Sequence, residues 1–424
     1  MQCFQLGELI LVSKPYAYVL NNDCRGQRCD YCFQKQHNLK RCSQCSFLYF
    51  CDKTCQKKAW ETHKTECKFI MKAKPKEPTA SLRLVSLIIL KVKKNGQEQP
   101  IEEVYGRKVS FKTLMSHAEE IKQNSKTCQQ MIAMVGTIKD YIGHSNIPTP
   151  PEFIEIFGKV CINTFSICDN EMQSIGSGIY LGASAFDHSC SPDAEVVFDG
   201  TNLHIRAVKH IPHRDISKVY ISYIEQLQLT KERQDALREQ YYFLCQCKNC
   251  TSTDYNEMMT KLLISEKEAE QHLIKFKAAI EHIKQMEKDK AGPSSIYSAC
   301  VQELISQDNV LADTHIYRVK ILEMAFNACI FNNQWTDAHA MGIQLLKPYR
   351  IFYGPYHPTL GIHLFKVGKI QRLLDLSSWT DTLQEVEKIL QVTHGKSHPL
   401  YQNLLKVLND SETLPCLSTL SIEE

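Results

Sequence analysis

Twelve residues of this chain have the types and the spacing to hold metal. Cys29, Cys32, Cys42, Cys45, Cys51, Cys55, His63 and Cys67 follow the pattern C-x2-C-x9-C-x2-C-x5-C-x3-C-x7-H-x3-C. Eight ligands make two tetrahedral sites, the arrangement of structural zinc. The segment has too few apolar residues to build a core, so metal binding is what folds it. Farther on, Cys245, Cys247 and Cys250 form C-x-C-x2-C, and the lone Cys190 in Phe186-Asp187-His188-Ser189-Cys190-Ser191-Pro192-Asp193 supplies a fourth thiolate. A site closed in that way ties two remote segments together and places whatever chemistry lies beside His188 under the 241–250 segment. Cys190 read instead as an unpaired buried thiol would leave C-x-C-x2-C one ligand short. Four protein ligands leave no open position, so these are structural sites and not catalytic ones.

The composition agrees with that chemistry. The 19 cysteines among 424 residues fall in short clusters with a matching histidine, which reads as zinc and not as a secreted disulfide framework. No run of 18 uninterrupted apolar residues marks a membrane span, and the first 20 residues lack a signal-peptide pattern. Cytoplasm and nucleus are the expected locations. The net charge of +3 names no partner by itself, but Lys53 to Lys76 holds eight lysines against Glu61 and Glu66. That patch suits phosphate or an acidic peptide, or is simply a solvated face.

The elements that must position these residues alternate in type. Residues 1–20 read as two short strands turning at Gly7-Glu8, and Gln56 to Glu66 as a short helix. Residues 79–145 read as helical, broken at Asn95-Gly96 and Pro100, with Met131, Met134, Val135 and Ile138 as core packing. Pro151 opens a helix over 152–163. Strands follow at Phe165–Ile167, Ile179–Leu181, Glu195–Phe198, Leu203–Val208 and Val219–Tyr223, with a hairpin at Asp199-Gly200. Thr230 to Phe243 reads as a helix capped by Thr230, with Arg233 and Arg238 on its wet face. From about 255 the pattern is helical only, and Gly292-Pro293 reads as a helix stop. Trp335-Thr336-Asp337 recurs as Trp379-Thr380-Asp381, and Gly354-Pro355-Tyr356-His357-Pro358 recurs as Gly395-Lys396-Ser397-His398-Pro399, at offsets of 44 and 41 residues. His357 and His398 read as turn-capping residues. The period resembles tetratricopeptide-type repeats.

The His-Ser-Cys segment with its downstream cysteines resembles the core of a SET-domain protein-lysine methyltransferase, and the eight-ligand segment resembles a MYND finger. The whole order resembles the SMYD family. The resemblance implies an α+β fold: a SET β-fold with an inserted MYND zinc finger and helical insert, a post-SET zinc site, and a C-terminal all-α TPR-like repeat domain. The implied division is 1–28 for the first part of the split SET domain, 29–67 for the finger, and 68–150 for the helical insert. The SET core then takes 151–223, the post-SET segment 224–254 and the repeat domain 255–424. MYND ligands interleave, which implies one zinc on Cys29, Cys32, Cys51 and Cys55 and another on Cys42, Cys45, His63 and Cys67. With the post-SET site the cofactors are three zinc ions and S-adenosylmethionine.

By the same resemblance Tyr223 matches the catalytic tyrosine. Asn163, Asp187, His188, Tyr223 and Phe243 match donor-binding positions, while Phe165 and Tyr241 match the lysine channel. Asn163 read from the sequence alone is equally a helix-end cap. The sequence departs from the family at Asp187 and Asp193, where asparagines are usual, and in Val109 and His117 where a tyrosine and an asparagine are usual. Ser217-Lys218 reads as an insertion. No glycine-rich strand stands ahead of the first hairpin, which implies either a lost strand or a late start. The expected activity is methylation of a histone or other protein lysine, by a monomer. The alternative is a weak or inactive zinc scaffold whose finger binds proline-rich peptides or DNA and whose repeats bind partner tails.

Overall fold

The apolar residues at the start of the chain become two strands, Leu9–Ser13 and Ala17–Leu20, and each recruits partners from far along the sequence. Leu9–Ser13 pairs antiparallel with Asn202–Ala207, which forms a hairpin with Ala194–Asp199. The turn lies at Asp199-Gly200, where Gly200 takes a φ of 59° that suits glycine. Ala17–Leu20 pairs antiparallel with Ser174–Ile179, which pairs antiparallel with Thr164–Cys168. The strand at 174–179 lies earlier than the pattern Ile179–Leu181 predicts. Its glycines hide it: a Cβ on Gly176 would lie 2.4 Å from the Phe33 ring and 2.6 Å from the Val19 carbonyl.

A computed structural model describes residues 3–409, in two compact units. Among the described residues the first comprises 3–187, 196–221 and 237–244; the second comprises 188–195, 222–236 and 245–409. The end of the expected repeat domain, 410–424, lies outside the described residues.

In the first unit the finger holds a small hairpin, Lys40–Arg41 with Tyr49–Phe50, and the helix Lys53–Ala73. That helix is longer than Gln56–Glu66. Asp52 starts it by accepting the Cys55 N–H at 2.8 Å, and Ile70 beyond Cys67 adds a buried turn. Helices follow at Ala80–Asn95, Ala118–Gln123, Ser125–Ile142 and Pro150–Asn163. Met131 and Ile138 are buried, as core residues should be.

The 79–145 stretch is not wholly helical. Glu102–Val104 and Arg107–Val109 form a hairpin turning at Tyr105 and Gly106, both with positive φ. The Glu102 carboxylate anchors it, accepting from Ser13 Oγ at 3.0 Å and from the Gly182 N–H at 2.9 Å. A charged residue held by tertiary hydrogen bonds leaves no hydrophobic period to read. The final predicted strand is also shorter, Tyr220–Ile221, with Tyr223 just beyond it.

The second unit is dominated by helices: Thr253–Thr260, Glu266–Lys288, Pro293–Gln307, Ile316–Phe331, Trp335–Phe352, Pro358–Leu373, Trp379–Thr393 and Pro399–Asn409. Pro293 begins a helix at its first position and does not merely end the previous one, because a first-turn proline loses no needed N–H. His357 Nδ1 accepts the Thr359 N–H at 3.1 Å, and His398 Nδ1 the Leu400 N–H at 3.1 Å, so both cap helix starts. His315 does the same for Tyr317 at 3.2 Å, one repeat earlier. Gly342 lets two helices close up: a Cβ there would meet Val367 at 2.8 Å and Phe326 at 2.9 Å.

Candidate active site and metal centres

Cys190, Cys245, Cys247 and Cys250 come together in the second unit, their sulfurs all within 4.8 Å of one another, and Cys190 lies 3.5 Å from Cys250. A tetrahedral zinc site with Zn–S near 2.3 Å puts sulfurs about 3.8 Å apart, so the four fit the ion. The helix Thr230–Tyr241 holds this loop in shape. Gln234 donates to the Cys245 carbonyl at 2.7 Å and accepts the Cys245 N–H at 3.0 Å. Arg233 is fully buried and not on a wet face. Its guanidinium donates to the Asn249 carbonyl at 3.0 Å and sits 3.9 Å from Cys250 Sγ, while Asn249 donates to the Cys190 carbonyl at 3.0 Å. Burying a cation beside a thiolate set offsets the negative charge of that set.

His188 joins this centre to the expected catalytic tyrosine. Its Nδ1 accepts the Tyr223 N–H at 2.9 Å, and its Nε2 lies 3.2 Å from Cys190 Sγ. The two rings are 5.2 Å apart at 47°. An Nδ1 that accepts places the proton on Nε2, where it faces the sulfur. His188 is buried and Tyr223 half-buried.

The other expected residues lie in the first unit. Asn163 Nδ2 donates to the Met115 carbonyl and to the Lys159 carbonyl, both at 2.9 Å, so it does close the end of its helix. Phe165 is half-buried and meets Tyr180 edge to face at 5.8 Å. Asp187 is exposed, Phe243 half-buried and Tyr241 buried, with burial pushing the Tyr241 hydroxyl up to about 12. A phenol so raised stays neutral near pH 7 and acts only through its hydrogen bond and ring face.

The finger also gathers two ligand sets, Cys29, Cys32, Cys51 and Cys55, and Cys42, Cys45, His63 and Cys67, each within 4.8 Å. Cys32 to Cys51 is 3.5 Å, and His63 Nε2 is 3.5 Å from Cys42 and 3.6 Å from Cys45. Both sets have zinc chemistry and zinc spacing.

Sequence reasoning missed the residues around the ligands: Arg233 and Gln234 at the third set, and Glu66, Asp30 and Arg83 at the finger. Burial pushes Glu66 up, but Arg83 and His63 outweigh it and hold the carboxyl at about 2. Burial pushes Asp30 up to about 7 against the pull of Arg83. The available signal was Arg83 itself, a lone charge inside the run Leu82 to Leu90. His117, a departure from the family in sequence, has a structural place of its own. Its ring packs against Tyr242 at 5.2 Å, and both residues have positive φ.

Comparison with known proteins agrees with this arrangement. The MYND finger family model matches residues 29–67. The chain is similar to the histone-lysine N-methyltransferase SMYD3 of Homo sapiens, 32% identical over 415 residues, which cover 96% of this chain and 92% of that protein. It is 29% identical over 417 residues to the N-lysine methyltransferase SMYD2-A of Danio rerio, covering 96% and 94%. With N-lysine methyltransferase SMYD2 of Homo sapiens it shares 29% over 407 residues, covering 94% and 92%. The match runs along nearly the whole length of this chain and of these relatives, at 32% identity to the first of them, and the chain belongs to the SMYD family.

Proposed function

We propose that this chain is an S-adenosylmethionine-dependent protein-lysine N-methyltransferase acting on histone or other protein lysines. The observation that carries the reading is the His188 imidazole, held between the Tyr223 N–H and the Cys190 thiolate, in a chain whose relatives are lysine methyltransferases. On this reading residues 1–28 and 151–223 form the split SET domain, 29–67 the finger, 68–150 the insert, 224–254 the closing segment and 255–424 the repeats. Each of the three ligand sets holds one zinc ion.

The types of the expected residues suit a sulfonium donor. Half-buried Phe165, Tyr223 and Phe243 offer ring faces to a cation, and the exposed Asp187 carboxylate accepts hydrogen bonds. Asn163, Asp187, His188, Tyr223 and Phe243 would hold the donor, which supplies an electrophilic methyl group. Phe165 and Tyr241 would line the channel for the lysine stem and strip water from the amine, which must lose its proton to react. The Tyr223 hydroxyl would orient the amine. No covalent nucleophile on the protein is needed.

The partner is a protein bearing the target lysine, met by a monomer in cytoplasm and nucleus. All eight lysines from Lys53 to Lys76 are exposed, while Glu66 is buried against Arg83 and offsets none of that surface charge. That face favours a further contact with DNA or an acidic or proline-rich peptide. Among the described residues no helix is long and apolar enough to cross a membrane.

The test is transfer of radiolabelled methyl groups to a core-histone mixture and to a cell extract, with Tyr223→Phe beside the natural chain. Labelling by the natural chain and its loss in the variant, with S-adenosylhomocysteine still bound by calorimetry, is the expected result. Failure of the natural chain to bind S-adenosylhomocysteine would overturn the reading in favour of a scaffold.

A further inference from the structure

The two ligand sets of the finger share a cation that lies outside the finger. Arg83 is on the helix Ala80–Asn95 and is 4% exposed. Its Nε donates to Glu66 Oε1 at 2.6 Å and its Nη2 to Oε2 at 3.4 Å, while its Nη1 lies 3.7 Å from Asp30 Oδ1. Glu66 precedes Cys67 in sequence, and its Oε2 is 3.6 Å from His63 Nδ1, the ring nitrogen opposite the one facing the sulfurs. The carboxylate thus stands at ion-pair distance, beyond hydrogen-bond length, on the side of the ring where a carboxylate orients a metal-bound imidazole. Asp30 follows Cys29 of the other set and accepts the Tyr49 N–H at 2.8 Å. Between Cys45 and Cys51, the Phe47 ring carries two guanidiniums, Arg25 at 4.2 Å and Arg83 at 5.3 Å from its centroid.

A zinc ion with four thiolates carries two net negative charges, and one with three thiolates and an imidazole carries one. That charge adds to the charge of the buried carboxylates Glu66 and Asp30, and Arg83 is the buried cation that both carboxylates meet. Arg83 serves both sets, through Glu66 and His63 on one side and through Asp30 on the other. A lysine could not do so, because a single ammonium lacks the planar fork that spans two carboxylates.

We propose that Arg83 is a positioning residue that couples the two metal sites of the finger, so that loosening one loosens the other. This rests on each set holding a zinc ion, which metal analysis of the natural chain settles first. The experiment uses the full chain under chelator challenge, with released cysteines trapped by iodoacetamide and read peptide by peptide by mass spectrometry. Cys190, Cys245, Cys247 and Cys250 serve as the internal reference. In Arg83→Lys, both finger sets should be trapped about ten-fold faster than in the natural chain, with the reference set unchanged. Glu66→Gln, which touches only the His63 set, should accelerate the Cys29, Cys32, Cys51 and Cys55 set as well. In the Arg83→Lys background it should add nothing there. Acceleration of the His63 set alone by Glu66→Gln would overturn the proposal. So would either finger set keeping its natural rate in Arg83→Lys, or the reference set accelerating in step.

Discussion

The Tyr223 backbone N–H donates to His188 Nδ1 at 2.9 Å, and the other nitrogen of that ring lies 3.2 Å from Cys190 Sγ. The expected catalytic tyrosine and the third ligand set are therefore joined through one imidazole. Rotating the ring would give up both contacts at once.

His188→Phe keeps a planar ring and removes both hydrogen bonds. Leaving the Tyr223 N–H unmet costs about 1–3 kcal/mol. Loss of the donor to Cys190 should weaken zinc about ten-fold or more at that site. Methyl transfer should fall by at least about ten-fold at saturating zinc, while zinc at the finger is unchanged. Metal analysis after dialysis against a graded chelator, run beside the transfer assay, checks both. A variant with natural rate and natural zinc would mean the ring only fills space.

Arg233 gives a second, separable expectation. It donates to the Gln228 carbonyl, to Thr230 Oγ1 at 3.2 Å and to the Asn249 carbonyl at 3.0 Å, and its guanidinium carbon lies 5.0 Å from the Tyr255 ring centroid. Arg233→Met keeps the length and removes every donor, with each charge-assisted hydrogen bond worth about 1.5–3 kcal/mol. The Cys190 set should lose zinc about ten-fold faster than in the natural chain, and the finger sets should not change. Arg233→Lys should restore only part of the difference. Cysteine trapping by mass spectrometry separates the sets, and equal rates for Arg233→Met and the natural chain would refute the role.

What the sequence made legible were features with a short-range signature. Metal ligands keep short spacings, so all twelve are readable by residue number, with the interleaving of the finger's two sets implied by the MYND resemblance; His357 and His398 read as turn caps because neither has partners at ligand spacing. What stayed hidden depends on partners far along the chain. Arg233 sits at a helix position that looks solvated, and only the fold shows that the Cys245–Cys250 loop closes over it. Glu102 and its hairpin have polar residues held by Ser13 and Gly182, so no hydrophobic alternation betrays them. Gly176 weakens its strand locally because Phe33 of the finger needs the space.

Glu195 makes the second unit sensitive to pH between about 4.5 and about 8. It is 8% exposed, and burial pushes its carboxyl up to about 8, with the Glu225 carboxylate pushing the same way and the Gln226 amide pulling back. Its neighbour His357, 3.8 Å away, is held down to about 3 by burial, so it offers no positive charge. Below the ordinary carboxyl value near 4.5 both folded and unfolded chains carry the proton and Glu195 contributes no pH dependence. Above it the unfolded chain releases the proton while the folded chain keeps it until about 8, so stability falls as pH rises through that window. The slope from one such group is about 1.4 kcal/mol per pH unit, a few kcal/mol in all. Glu195→Gln retains the shape without the titration. Its stability relative to the natural chain should climb between pH 5 and pH 8 and level off above. Urea unfolding of both chains across that range, each zinc-loaded, measures the difference directly. The histidines titrate alike in both unfolded chains and cancel in the comparison. A difference that stays constant with pH would show that Glu195 is ionised in the folded protein.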